Sequence, residues 1–264
     1  MENFTYHRPA HATDAVKLMK GAKDGKFMSG GMTLLPAIKH GLASPSDIID
    51  LGGLKHAGVS VSGNTVTIKS GTTHAAVADD AALKKAIPGL SKLAGGIGDP
   101  HVRNRGTIGG SIANADPAAD YPAAVVGLGA TVHTDQRKIA GDKFFTGMFE
   151  TALKPDEIVS AVEFPVPKRS AYVKFPNPAS LYAMVGVFVA ELADGSIRVA
   201  VTGAGPSVFR MPEMEKALQK SFSSDAISGV NVPAGDLNSD IHASSAYRAH
   251  LVNVLARRAV EQAK

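Results

Sequence analysis

A chain of 264 residues that is 44% hydrophobic and 20% charged has room for one large or two ordinary packed domains, and disorder is excluded as its default state. Its net charge of +4 is carried by dispersed Lys and Arg, with no run longer than pairs such as Lys84-Lys85 and Arg257-Arg258, which argues against the concentrated basic face of a nucleic-acid binder. The absence of cysteine excludes disulfides, thiolate nucleophiles and cysteine-held iron–sulfur clusters or zinc within this chain.

In chain order, "MENFTYHRPAHATDAV" is polar and lacks the apolar core of a signal peptide. No later window reaches the roughly 20 apolar residues of a membrane span, so a cytoplasmic chain with no membrane span is expected. Thr13 is a candidate N-cap for a first helix with Asp14 in its first turn and Ala15, Leu18 and Met19 at helical spacing. "KFMSGGMTLLPAIKHG" predicts a short strand over 26–29, a Gly30-Gly31 turn and a short helix stopped at Gly41. With "SDIIDLG" as a further strand, the first fifty residues make a small β-α-β-type unit. "AGVSVSGNTVTIKSG" alternates apolar and polar residues on both sides of Ser62-Gly63-Asn64, which predicts a hairpin.

"THAAVADDAALKKAI" predicts one helix ending before Pro88-Gly89. The glycine-rich stretch "RNRGTIGGSIANADPAAD" (103–120) reads as irregular backbone with Ile108 and Ile112 pressed inward. "PAAVVGLGA" is apolar all round and predicts a buried helix, while "ATVHTD" and "EIVSAVEFPVP" are strand-like. Prolines at 165, 167, 176 and 178 mark a domain boundary. Beyond it "LYAMVGVFVAEL" and "SIRVAVTGAG" predict a hairpin around Ala193-Asp194-Gly195. Two helices follow, "FRMPEMEKALQK" and one from about Ser244, with Tyr247, Leu251, Val254, Leu255 and Ala259 on one face of the latter.

Two glycine-rich turns carry the chemistry. "SGGMTLLP" has a strand before it and a helix after, the arrangement that aims free N–H groups at an anion; a plain tight turn is the alternative. "GTIGGSIANA" adds hydroxyls at Thr107 and Ser111 and amides at Asn104 and Asn114. Gly106, Gly109 and Gly110 together suggest close approach of a ligand to the backbone, and a diphosphate suits paired glycine loops. Neither loop is G-x-x-x-x-G-K-[ST], which excludes an NTPase P-loop. "TGAGPSVFR" lacks the third glycine of a dinucleotide loop, and Pro206 removes a donor there. Asp116 and Asp120 suit acid–base work, a metal, a cap on the helix starting near Tyr121-Pro122, or acceptance from a polyol chain. Among nine histidines no metal set is visible: His7 and His11 straddle Pro9, and His101 has a ligand contact or a plain surface role open to it. Neither a Ser-His-Asp arrangement nor a G-x-S-x-G elbow is present.

The same residues carry a family resemblance. "SGGMTLLP" resembles the loop A-G-G-T-x-L-L-P, and "RNRGTIGGSIANADPAADYPA" resembles T-I-G-G-[SN]-x-x-x-A-x-P-x-x-D, both of the FAD-binding medium subunits of molybdenum hydroxylases, the group of aerobic carbon monoxide dehydrogenase and xanthine dehydrogenase. "AYVKFPNPASLYAMVGV" and "SDIHASSAYRAHLVNVLARRA" resemble the start and closing helix of that family's C-terminal domain. The resemblance spans nearly the whole chain. It implies an α+β protein: a two-subdomain FAD-binding domain of the vanillyl-alcohol-oxidase/MurB-like class over 1–168 (subdomains about 1–55 and 56–168), then a small C-terminal α+β domain over 169–264 with an antiparallel sheet and helices.

Carried over by residue, the resemblance makes Ser29, Gly30, Gly31, Met32, Thr33 and Leu34 one FAD loop, acting through backbone N–H groups. Thr107, Gly109, Gly110 and Ser111, with Asn114, form a second clamp. Asp120 matches a carboxylate at the ribityl or diphosphate region, Ile158 and Val159 flank a ring, Lys174 lies near the flavin, and Tyr182 is a flavin-side aromatic. Met32 stands where many relatives have Thr or His, which removes a side-chain contact and leaves the backbone ones. The implied role is an electron-transfer subunit in a heterotrimer, or a dimer of heterotrimers. An iron–sulfur small subunit and a molybdenum-cofactor large subunit are its implied partners. No catalytic residue and no metal ligand are then expected on this chain. A self-contained flavin oxidase of a small alcohol or amine, and a non-enzymatic nucleotide-binding module, are the alternatives.

Overall fold

The computed structural model describes residues 3–264. The first fifty residues place β1 (Thr5–His7), α1 (Ala12–Gly21), β2 (Gly25–Met28), α2 (Leu34–Lys39) and β3 (Asp47–Asp50) in a three-stranded sheet of order β1-β3-β2. Both pairings are parallel, as the crossover helices require. The expected β-α-β unit is present. Its core is small: Ala15, Ile49 and Ile158, flanked by Leu18, Met19 and Phe27. Thr13 does not cap α1. The backbone is still extended at His11, whose carbonyl accepts from Ala15 N–H, so Thr13 falls inside the first turn.

The middle of the chain builds a five-stranded antiparallel sheet of order β4-β5-β10-β6-β7 from β4 (Val59–Ser62), β5 (Thr65–Lys69), β6 (Thr131–Thr134), β7 (Lys138–Ala140) and β10 (Val159–Pro165). The predicted hairpin joins β4 to β5, with Gly63 at φ +57°. A two-stranded ribbon, β8 (Phe145–Gly147) and β9 (Glu150–Thr151), lies beside it in sequence. Between β5 and β6 run α3 (His74–Asp79), α4 (Ala81–Ala86), α5 (Pro88–Gly95), α6 (Pro100–Arg105), α7 (Ile108–Asn114) and α8 (Tyr121–Gly127).

Two expectations are corrected in this helical stretch. The single helix over 73–87 is two, because Asp80 leaves the helix (φ −63°, ψ 119°) and caps α4 through its carboxylate on Leu83 N–H at 2.8 Å. Pro88 then opens α5 at a position where its missing N–H costs nothing. The glycine-rich stretch is mostly helical: α6 and α7 are separated only by the Gly106-Thr107 step. Glycine content masked the helical spacing of Ile108 and Ile112, both fully buried. The buried helix expected from "PAAVVGLGA" is α8, buried at every position.

The remaining sheet has four antiparallel strands, β11 (Arg169–Pro176), β12 (Ala183–Glu191), β13 (Ile197–Thr202) and β14 (Phe209–Arg210), in that order. Strand β12 is buried at eight consecutive positions because both sheet faces are covered. Val185, Val187 and Val199 share a core with α9 (Pro212–Lys220) and α10 (Ser245–Gln262), while Tyr172, Phe188 and Ala190 join the core of the middle sheet. The hairpin turns at Gly195 with φ +86°. On α10 the buried stripe is Arg248, Leu251, Val252, Leu255, Ala256 and Ala259; Tyr247 is exposed and Val254 lies at the margin. The expected face is therefore rotated, because Ala and the aliphatic stem of Arg248 fill positions an apolar count passes over.

Candidate functional site

The loop from β2 to α2 holds the first glycine pair. Gly31 has φ +76°, which turns the chain so that the N–H groups of Gly30, Gly31, Met32, Thr33 and Leu34 precede and open α2. None of the five has an acceptor among the described residues; the first bonded amide is Leu35, to Gly31 O at 3.1 Å. A row of unpaired donors at the start of a helix is the backbone geometry that binds an anion. Gly30 is required for another reason. A Cβ there would lie 1.9 Å from Arg105 O, so this loop leans directly on the second glycine segment.

The second segment spends most of its donors internally. Ile108 N–H donates to Thr72 O (3.1 Å), Gly109 N–H to Ser70 O (2.9 Å) and Ser111 N–H to Thr107 O (3.0 Å). Gly110 N–H donates to Thr107 Oγ1 (3.2 Å), and that hydroxyl donates to Ser29 Oγ (2.9 Å). The backbone donors of Gly109, Gly110 and Ser111 are thus already engaged within the protein. What this segment leaves without a partner is Thr107 N–H, the Ser111 hydroxyl and the Asn114 amide. Its glycines divide by cause: a Cβ on Gly106 would meet His74 at 2.6 Å and one on Gly109 would meet Ser70 Cβ at 2.5 Å. Gly110 is exposed, and a Cβ there would touch only Thr107 Oγ1 at 3.0 Å and Ser29 Cβ at 3.8 Å.

Between the loops lies a cleft of about 790 Å³. It is bounded by the 29–34 loop, α7, the start of β10 and the turn before β12. Of the sequence-selected residues, Ser29 to Leu34, Thr107, Gly109, Gly110, Ser111, Asn114, Asp120, Ile158, Val159 and Tyr182 all line it; Lys174 does not. Ile158 and Val159 are buried in its wall, while Met32 (38% exposed) and Tyr182 (44% exposed) stand at its mouth.

Asp120 is 4% exposed and is already engaged. Its carboxylate accepts from Tyr172 OH at 2.5 Å and from Lys174 Nζ at 3.0 and 3.2 Å. Lys174 also donates to Gly96 O (2.7 Å) and to Leu181 O (3.0 Å). It works behind the wall, tying α5, Asp120 and the 177–182 turn together. Burial pushes the Asp120 carboxyl above its ordinary range, opposed by Lys174 and the Tyr172 hydrogen bond. Burial also raises Asp116 and, with the nearby carboxylates, Tyr182. Asp116 accepts from Ala118 N–H at 2.8 Å, closing a turn rather than capping α8. Asp120 occupies the N-cap position of α8 but makes no side-chain capping bond. Among the described residues no group of three or more His, Asp or Glu could hold a metal, and His7 is bonded to Asp47 at 2.8 Å.

Residues 2–167 match the family described as "FAD binding domain in molybdopterin dehydrogenase". The chain belongs to this family. It is 33% identical over 272 residues to the nicotine 6-hydroxylase medium subunit of Paenarthrobacter nicotinovorans, covering 98% of this chain and 96% of that one. It is 31% identical to the carbon monoxide dehydrogenase medium chain of Afipia carboxidovorans, covering 99% and 97%. Among solved structures, reconstituted CO dehydrogenase from Oligotropha carboxidovorans superposes with a TM-score of 0.90 at 30% identity, covering 99% of this chain and 97% of that one.

FAD is the cofactor of this FAD-binding domain family, and the cleft's donor set fits it. Five consecutive free N–H groups suit a diphosphate, and about 790 Å³ is within the range of cofactor clefts. Sequence reading missed Tyr172 and His74. Tyr172 and Lys174 lie two apart on β11 and so share a face, a spacing that could have flagged them. His74 lines the cleft while 4% exposed, and no local pattern in the sequence marks it.

Proposed function

We propose that the chain is the FAD-carrying electron-transfer subunit of a multi-subunit molybdenum hydroxylase. The observation that carries this is the row of N–H groups over 30–34 without an acceptor among the described residues, on a loop that lines one large cleft together with Thr107, Ser111 and Asn114. Within this reading residues 1–168 form the FAD-binding portion, with subdomains about 1–55 and 56–168, and residues 169–264 close the cleft from the far side. The 30–34 amides would hold the diphosphate. Asp120 keeps lone pairs free after Tyr172 and Lys174, and these would accept from ribityl hydroxyls. Ile158 and Val159 would exclude water from a ring, and Tyr182 would cover the mouth.

When bound, FAD supplies an electron carrier that exchanges both single electrons and pairs. The protein's part is to bind, orient and insulate it. Having no cysteine, the chain cannot hold an iron–sulfur cluster through thiolates, so clusters and molybdenum would reside on a small and a large partner subunit. The relatives named as medium subunits support this division. We assign a heterotrimer, alone or doubled, located in the cytoplasm. No helix among the described residues is long and apolar enough to cross a membrane.

The test is co-purification of the tagged chain with its partners. The expected result is a yellow complex with two further subunits that releases one FAD per copy of this chain on denaturation. A folded complex without flavin, or bound FAD reduced by a small alcohol or amine in the absence of any partner, would contradict the assignment.

A further inference from the structure

Beneath the second glycine segment two polar atoms are sealed without a partner, His74 Nδ1 and the Tyr121 hydroxyl. The two rings pack at 5.3 Å between centroids, tilted by 48°. His74 is the first residue of α3, and its backbone N–H donates to Gly106 O at 2.9 Å. That bond holds the imidazole against the Gly106-Thr107 step. Gly106 is a glycine because the ring occupies the place of a side chain: a Cβ there would be 2.6 Å from Nε2. The protein therefore keeps a backbone position bare to admit this imidazole.

The two ring nitrogens differ in surroundings. Nδ1 is closed off, whereas Nε2 is neither sealed nor hydrogen-bonded among the described residues, and His74 lines the cleft. A neutral imidazole carries one N–H, and buried N–H groups left without an acceptor are rare in native proteins, which favours the proton on Nε2, the nitrogen that is not sealed. We propose that His74 is a cofactor-contacting residue, its Nε2–H donating to the ribityl–diphosphate chain of FAD where Gly106 and Thr107 wall the cleft. The proposal rests on the FAD reading of that cleft. Burial, with Arg103 adding to it, pushes the imidazole down to about 4, so it donates as a neutral group near pH 7. The plain alternative is an apolar packing role against Tyr121, and a phenylalanine would fulfil that role.

The experiment compares wild type, His74→Phe and His74→Gln, each as the full chain and in the purified complex, reading FAD dissociation constants, the melting temperature of the FAD-free chain and histidine side-chain ¹⁵N spectra. His74→Phe is expected to weaken FAD binding tenfold or more with the FAD-free melting temperature held. His74→Gln, which keeps an N–H donor, is expected to recover most of the affinity. In wild type the Nε2–H tautomer and an Nε2 resonance moved by FAD are expected. Unchanged FAD affinity in His74→Phe, or an Nε2 resonance indifferent to FAD, overturns the proposal and leaves the cleft's assignment standing. Wild type that takes up no FAD in either form overturns both.

Discussion

Replacing Lys174 by methionine tests how the cleft wall is held. Lys174 Nζ meets the Asp120 carboxylate at 3.0 and 3.2 Å, with its side chain 10% and that of Asp120 4% exposed. Removing one partner of a buried ion pair costs about 3–5 kcal/mol, because the other charge stays buried. At roughly 2–4 °C per kcal/mol for a chain of this size, Lys174→Met is expected to lower the melting temperature by about 6–20 °C at pH 8. The sign of the pH dependence follows from Asp120, whose folded pKa is raised above its ordinary 3.8 by burial. Losing Lys174 raises it further. Above that pKa the variant carries an unpaired carboxylate; below it the group is neutral and this part of the deficit vanishes. The deficit should therefore shrink from pH 8 toward pH 5. What persists at all pH is the lost donation to Gly96 O and Leu181 O, about 0.5–1.5 kcal/mol each. Lys174→Met combined with Asp120→Asn should return to that residual at pH 8. Denaturant titrations at both pH values check this. A deficit independent of pH, or a double variant no better than Lys174→Met, would refute the role of the buried pair.

Glycine substitutions separate chain crossing from ligand approach. Gly30→Ala would drive a Cβ to 1.9 Å from Arg105 O, so the melting temperature of the FAD-free chain should fall steeply. Gly110→Val puts its branches toward the cleft, and flavin titration should show lost FAD affinity, with thermal melts showing the FAD-free fold retained. Thr107→Val deletes the cap on Gly110 N–H and the bond to Ser29; a loss of about 1–2 kcal/mol is expected by denaturant titration. Glu157 is held down to about 2 from its ordinary 4.5, first by hydrogen bonds from Arg137. Its contribution is present above pH 4.5 and lost as pH falls toward 2, so Glu157→Gln should flatten acid unfolding in that window when followed by circular dichroism.

The turns and the first unit were legible because their signals are local. Gly63 sits between alternating runs, Gly195 between two apolar strand-forming runs, and the Gly30-Gly31 pair separates a strand from a helix. The extent of α6 and α7 was hidden by the glycines between and within them, since Gly106 and Gly109 answer to His74 and Ser70, neighbours 30 or more positions away in the chain. For the same reason sequence could not tell Gly30, pressed on Arg105, from Gly110, open to the cleft. Which amides remain free was equally out of reach, because Thr72 O and Ser70 O consume donors only once β5 and α7 are packed together. Strand β11 was passed over since prolines at its ends resemble a linker. With it went the pairing of Tyr172 and Lys174 with Asp120, more than 50 positions apart. The resemblance placed Lys174 near the flavin, but only the structure shows it bound to Asp120 and to Leu181 O, two residues of the cleft wall.

If the 30–34 loop grips FAD through its backbone, the cofactor must change the exchange of those amides, which mass spectrometry reads with and without FAD. Gly30 to Leu34 have no acceptor among the described residues, so they should exchange fast without FAD and become strongly protected with it. Gly109 to Ser111, already bonded to Ser70 and Thr107, should be slow in both states. FAD binding that leaves 30–34 unprotected would contradict the assignment of that loop as the diphosphate grip.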